Sequence, residues 1–215
     1  MLIRLVTVIG LAIFVAACQG QVNAKLDNSI GLATYENLGL IEKKPVGVGL
    51  VVSDDLRLAT TEVVTQNVKF TMAVGEALAS RLMYALVLQF DRVQLLREPV
   101  LPSHGRLDMM MIVTLKGLDA TVKISPKWNT VATESSGWIE VEAILKDRKN
   151  EIVWIGTSRA EAEATEESIM VARGQDAGSA MNQAIEKTVA KLVAQMAKSG
   201  SLRQFIERLS RAPVS

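Results

Sequence analysis

Cysteine and histidine are almost absent: Cys18 and His104 are the only ones in 215 residues. A disulfide needs two cysteines, so none can form within the chain. One histidine and one thiol leave no His/Cys set of the kind that holds zinc or copper. Net charge is also lacking, at +1 overall. Removing residues 1–17 takes Arg4 and leaves 23 charges of each sign. A balanced chain has no general attraction to a polyanion, which argues against nucleic acid as a partner. Internal repeats and low-complexity blocks are missing as well.

What is present is an ordinary globular composition, 49% hydrophobic and 22% charged. A domain of roughly 170 residues buries enough surface to fold without disulfides. The N-terminus has a different character. Arg4 precedes the apolar run Leu5–Val15, which ends in the small residues Ala16 and Ala17 before Cys18. That run is too short to span a bilayer, and polar Gln19 and Gln21 follow at once. This is the pattern of a secretory signal.

Val15-Ala16-Ala17-Cys18 resembles the lipobox of bacterial lipoproteins. The resemblance implies cleavage before Cys18, a thioether-linked lipid on its sulfur and acylation of the new amino group. Two or more buried chains hold a protein stably on a membrane, at about 0.8 kcal/mol per methylene. Gln19, where an aspartate would imply inner-membrane retention, implies outer-membrane sorting on the periplasmic side in a Gram-negative host. The expected division is a signal peptide over 1–17, a lipidated N-terminus and tether over 18–44, and one α/β sandwich domain over 45–215.

Within that domain, Val46–Ser53 is β-branched and bounded by Pro45 and Asp54-Asp55, so a buried strand is expected. Residues 54–70 are ambiguous between a short strand and a loop. Val74, Leu78, Leu82, Leu86 and Phe90 then recur at four-residue spacing, the stripe of an amphipathic helix, with Arg81 and Gln89 at its edges. A short strand follows at Arg92–Arg97. Leu107–Ile124 is the first of three long strands, and its apolar set changes phase after Gly117. A strand's side chains alternate with period 2, so a bulge near Gly117 is needed to keep one face buried. Ile139–Leu145 alternates apolar residues with Glu140 and Glu142, and Asp147–Asn150 reads as a hairpin turn. The third strand starts at Ile152. Its continuation through Arg159–Ala164 alternates alanine with charge, a composition that also suits helix. A second helix is expected over Asp176–Lys198 with Asp176 as N-cap, and a short one over Leu202–Leu209.

Two amphipathic helices need one sheet face to bury against. The expected fold class is therefore α+β, a two-layer sandwich in which a mostly antiparallel sheet is packed by two helices on one face. This order, with the lipobox, is similar to YajG-like envelope lipoproteins over about Val46–Glu207. The stretches that carry the likeness are Val74–Phe90, Leu107–Thr114, Ile139–Ile155, Ala180–Met196 and Ser199–Ile206. LptE-type and CsgG-type proteins share the topology more broadly. The resemblance implies a location and a fold, and no catalytic residues.

Chemistry is sparse. His104 lies in a Leu-Pro-Ser-His-Gly loop, and its adjacency to Ser103 does not make a catalytic pair. Gly47 and Gly49 are a fragment of a phosphate loop without its Lys-Ser/Thr. Met109-Met110-Met111 cannot converge on a metal from a strand and reads as core. Glu161, Glu163, Glu166 and Glu167 read as a solvated cluster. The exposed candidate for binding is the 123–129 turn, where Lys123, Lys127 and Trp128 place cations and an indole at a loop tip. The expectation is a membrane-anchored, non-enzymatic factor that contacts other envelope proteins, with no cofactor and no metal, a reading compatible with an oligomer. The alternative is an LptE-like accessory for lipid or polysaccharide export.

Overall fold

The computed structural model describes residues 20–23, 26, 43–65, 68–103, 106–169 and 174–211. Residues 1–17, Cys18 and His104 lie outside them. Eight strands and four helices occur among the described residues: β1 (Gly20–Asn23), β2 (Lys44–Val52), α1 (Asp54–Arg57), β3 (Thr61–Thr65), β4 (Val68–Met72), α2 (Val74–Gln89), β5 (Phe90–Leu96), β6 (Met109–Pro126), β7 (Thr130–Asp147), β8 (Ile152–Ile169), α3 (Gly174–Lys198) and α4 (Gly200–Arg211).

The main sheet has the order β5-β2-β6-β7-β8. Its β5 edge is parallel, because α2 carries the chain from β2 to β5 as a crossover, and β2 also pairs in parallel with β6. From β6 onward the pairing is antiparallel. The fold is thus the expected α+β sandwich, with a sheet that is mixed. A second sheet of three short strands, β1-β4-β3, joins the region around the ambiguous residues 54–70 to Gly20–Asn23, which sequence pattern placed in the tether.

Helices α2 and α3 cover one face of the main sheet. Every residue of the α2 stripe, Val74, Leu78, Leu82, Leu86 and Phe90, is buried. So are Met181, Ile185, Val189, Leu192 and Met196 of α3, against Ile139, Val141, Ala143 and Leu145 of β7. Arg81 and Gln89, which interrupt the edges of the stripe, are both buried. Arg81 donates from Nη1 to the Asn182 carbonyl at 2.6 Å and from Nη2 to its side-chain oxygen at 3.2 Å, so it ties α2 to α3. An arginine can sit there because its fork finds two acceptors.

The phase change in β6 is a bulge: the register with β7 shifts between Leu115 and Gly117. Lys116 is the extra residue, turned outward to pair with Glu142 at 2.9 Å. The alternating alanines of β8 remain in the strand despite their helical propensity, because Ala160 and Ala162 are buried against α3 and leave room for it. At the β7–β8 turn, Asp147 Oδ1 accepts from the backbone of Lys149 and Glu151, and Asn150 takes the left-handed conformation at φ 64°. Asparagine tolerates that conformation well. Ser199 ends α3 and caps α4, accepting from the Leu202 N–H at 3.2 Å.

The free edge of β8 is guarded. Lys187 and Lys191 donate to the carbonyls of Glu161 and Arg159, Gln195 to that of Thr157, and Ser201 to that of Val153. The first three donors are four residues apart on α3, one per turn, matching a strand's two-residue step. Charged side chains along an edge disfavour pairing with another chain.

Candidate functional site

The β6–β7 hairpin has eighteen residues on each arm, the same length as the β7–β8 hairpin that follows it. Its tip is a tight turn closed by the Lys127 N–H donating to the Thr130 carbonyl at 2.8 Å. Trp128 stands inside that turn and is fully exposed. It does not fold back onto the sheet, unlike Trp154, which is buried, and Trp138, which lies flat under the Arg159 guanidinium at 4.1 Å.

The two lysines of the candidate turn are each engaged elsewhere. Lys123 lies opposite Glu134 in the register and pairs with it at 3.3 Å. Lys127 reaches across β7 to an ion pair with Glu167 of β8. The structure therefore brings each lysine to a carboxylate and neither to Trp128. Such exposed pairs contribute only about 0–1 kcal/mol each, so a ligand's anion can displace them at little cost. Beside Lys123 is a shallow polar cavity of ≈ 320 Å³, lined by Thr121, Glu134, Ser136, Glu163 and Thr165.

The rest of this sheet face is polar. Arg159 pairs with Glu140 at 3.7 Å and Lys116 with Glu142, so the carboxylates expected to be merely solvated are ion-paired. Glu161 and Glu163 are exposed, as expected of a solvated strand face. Among the described residues no three acids or histidines gather as a metal site would require. Met109 and Met111 are in the helix-side core and Met110 is buried too, as core filling requires.

Sequence reasoning missed a second concavity, of ≈ 460 Å³, at the opposite end of the hairpin arms. It is lined by Asp147, Arg148 and Val153 from the β7–β8 turn and by Phe205, Arg208 and Leu209 of α4. The amphipathic spacing of α4 was its one visible signal. Gly47 and Gly49 prove to be packing glycines. A Cβ on Gly47 would overlap the Arg106 carbonyl oxygen, and one on Gly49 would run into the Leu96 side chain. Among ionisable groups, Lys44 stands out: burial, and then the charge of Arg203, lower its pKa from the usual 10.5.

The chain matches no family model and no curated relative. Among solved structures it is similar to a Helicobacter pylori protein described as a neuraminyllactose-binding hemagglutinin homologue. That match has 13% identity and a TM-score of 0.42 over 86% of this chain and 98% of the other. It is also similar to a minor lipoprotein from Acinetobacter baumannii, at 13% identity and a TM-score of 0.38 over 74% and 95%. A third similar structure, from Caulobacter crescentus and described as a lipoprotein, has 14% identity and a TM-score of 0.31 over 85% and 99%. Likeness at this level assigns no shared function.

Proposed function

We propose that this chain is an exported lipoprotein, held by lipid on Cys18 to the periplasmic side of the outer membrane, that binds other envelope proteins without catalysing a reaction. The lipobox pattern at Val15–Cys18 supports the location. The observation that carries the binding role is the fully exposed Trp128 at the tip of the β6–β7 hairpin. Exposing an indole forgoes a large apolar burial, and aromatic residues of this kind anchor protein interfaces. Lys123 and Lys127 flank it on weak surface ion pairs that a partner can replace. The likeness to YajG-like proteins belongs to the same reading and rests on the order of hydrophobic segments.

A photo-crosslinking residue at position 128 in native membranes tests the role, with Asp91, also exposed, as the control position. A single defined protein adduct at 128 that is absent at 91 is the expected result. Recovery of monomer alone, with a hydrolytic activity that disappears on changing one carboxylate, would overturn it. Protection of residues 118–133 from hydrogen exchange by glycolipid, with no protein adduct, would favour the export-accessory alternative instead.

A further inference from the structure

The stretch between Cys18 and the domain is much shorter than a tether over 18–44 would suggest. Gly20–Asn23 is already a strand, paired in parallel with Val68–Thr71 of β4. Leu26, three residues later, is buried in the main core. A free coil of the 26 residues from 19 to 44 would let the domain wander about 25–30 Å from its anchor. Docked as it is, the chain has one residue, Gln19, between the Cα of Cys18 and that of Gly20, two steps with a reach of at most about 7 Å.

We propose that the end of the small sheet where Gly20, Val68 and Thr65 lie side by side faces the bilayer surface. The inference rests on lipidation of Cys18, as proposed above. The register places Gly20 against Val68, and Val68 against Thr65. Two interstrand spacings, about 10 Å, separate Gly20 from Thr65. The whole end therefore lies within about 17 Å of the lipidated residue. One step inward, Val64 sits opposite Lys69. Val64 is 65% exposed although apolar, and Lys69 is held only by an exposed ion pair with Glu62 at 2.8 Å. An exposed aliphatic residue beside a cation suits the headgroup region of an anionic lipid surface. The anchor thus sets the orientation of the domain as well as its location.

The experiment uses the full lipidated chain in phosphatidylethanolamine/phosphatidylglycerol vesicles that contain a nitroxide-headgroup lipid. Because the native cysteine is consumed by lipid, Thr65→Cys can be labelled selectively with a small fluorophore. Lys149→Cys is the comparison, because it lies in the turn after Asp147, whose partner Met109 starts β6, whereas β2's end pairs four residues further along, Val52 with Val113, and the small sheet follows that end. Severalfold stronger quenching at 65 than at 149 is expected. Inserting a flexible ten-residue Gly/Ser segment between Gln19 and Gly20 should level the two signals. Equal quenching without the insertion, in protein whose Cys18 lipid is verified by mass, would overturn the orientation and leave the anchor intact. Persistence of the difference after insertion would also overturn it, because the short reach would not be its cause. An unmodified Cys18 would remove both the orientation and the function proposed above.

Discussion

Replacing Gly47 by alanine adds one methyl group at the tightest backbone crossing of the main sheet. The new Cβ would overlap the Arg106 carbonyl oxygen and lie 3.0 Å from both the Arg106 carbonyl carbon and the Leu107 Cα. These are backbone atoms, so no flexible side chain can swing away. The Arg106–Asp108 segment must lift. Lifting it breaks two hydrogen bonds, from the Gly47 N–H to the Asp108 carboxylate and from the Asp108 N–H to the Gly47 carbonyl, each 2.8 Å. A neutral bond contributes about 1 kcal/mol and one to a carboxylate about 1.5–3. Leu107, now 2% exposed, would lose part of its burial, on the order of 1 kcal/mol of the 1.5–3 that full burial provides. The sum is about 3–5 kcal/mol, a large part of a typical domain's stability. Gly200→Ala is the control: nothing lies within 4 Å of a Cβ there, and alanine in the first turn of α4 should be neutral or stabilise by up to about 1 kcal/mol. Urea denaturation gives both values, and hydrogen exchange at the amides of residues 47 and 108 locates the change. A G47A variant within about 0.5 kcal/mol of the native chain, with unchanged exchange at those amides, would refute the packing argument.

Three further outcomes follow from other parts of the fold. Changing Lys187, Lys191 and Gln195 together to alanine uncovers three carbonyls of the β8 edge; aggregation by light scattering should begin at lower protein concentration, and an unchanged onset would mean that the edge needs no guard. Lys44 has a lowered pKa from burial and from Arg203, so the unfolded chain holds its proton more tightly, and charging it opposes folding at neutral pH. The native chain should therefore gain stability relative to Lys44→Met as pH rises through the folded value toward 10.5, whereas parallel stability curves would contradict this. Trp128→Ala should change stability by less than about 0.5 kcal/mol while removing the partner captured by a photo-crosslinking residue at the neighbouring exposed position, Asn129; a large loss of stability would show that the indole packs in solution.

The long-period features were legible because each is local. The α2 stripe needs only residues 74–90, and the phase change at Gly117 needs only that strand's own alternation. Residues 54–70 were not legible, because the five-residue strands β3 and β4 derive their identity from pairing with each other, with β1 and with the core rather than from a repeating pattern. Arg81 read only as an interruption of the stripe, since its partner, Asn182, stands 101 residues away. At the candidate site, Trp128 and the turn were visible as types in a loop. Their pairing was not: Glu167 reaches Lys127 only through the β7–β8 register. The concavity beside α4 joins residues 147–153 to 205–209, and no window of sequence contains both.

The account turns on a lipid at residue 18. Intact-mass and peptide mass spectrometry of the protein from native membranes addresses it directly. The expected chain begins at Cys18, with a diacylglyceryl group on sulfur and a further acyl chain on nitrogen. A chain that keeps residues 1–17, or one that carries a free thiol at Cys18, would contradict it.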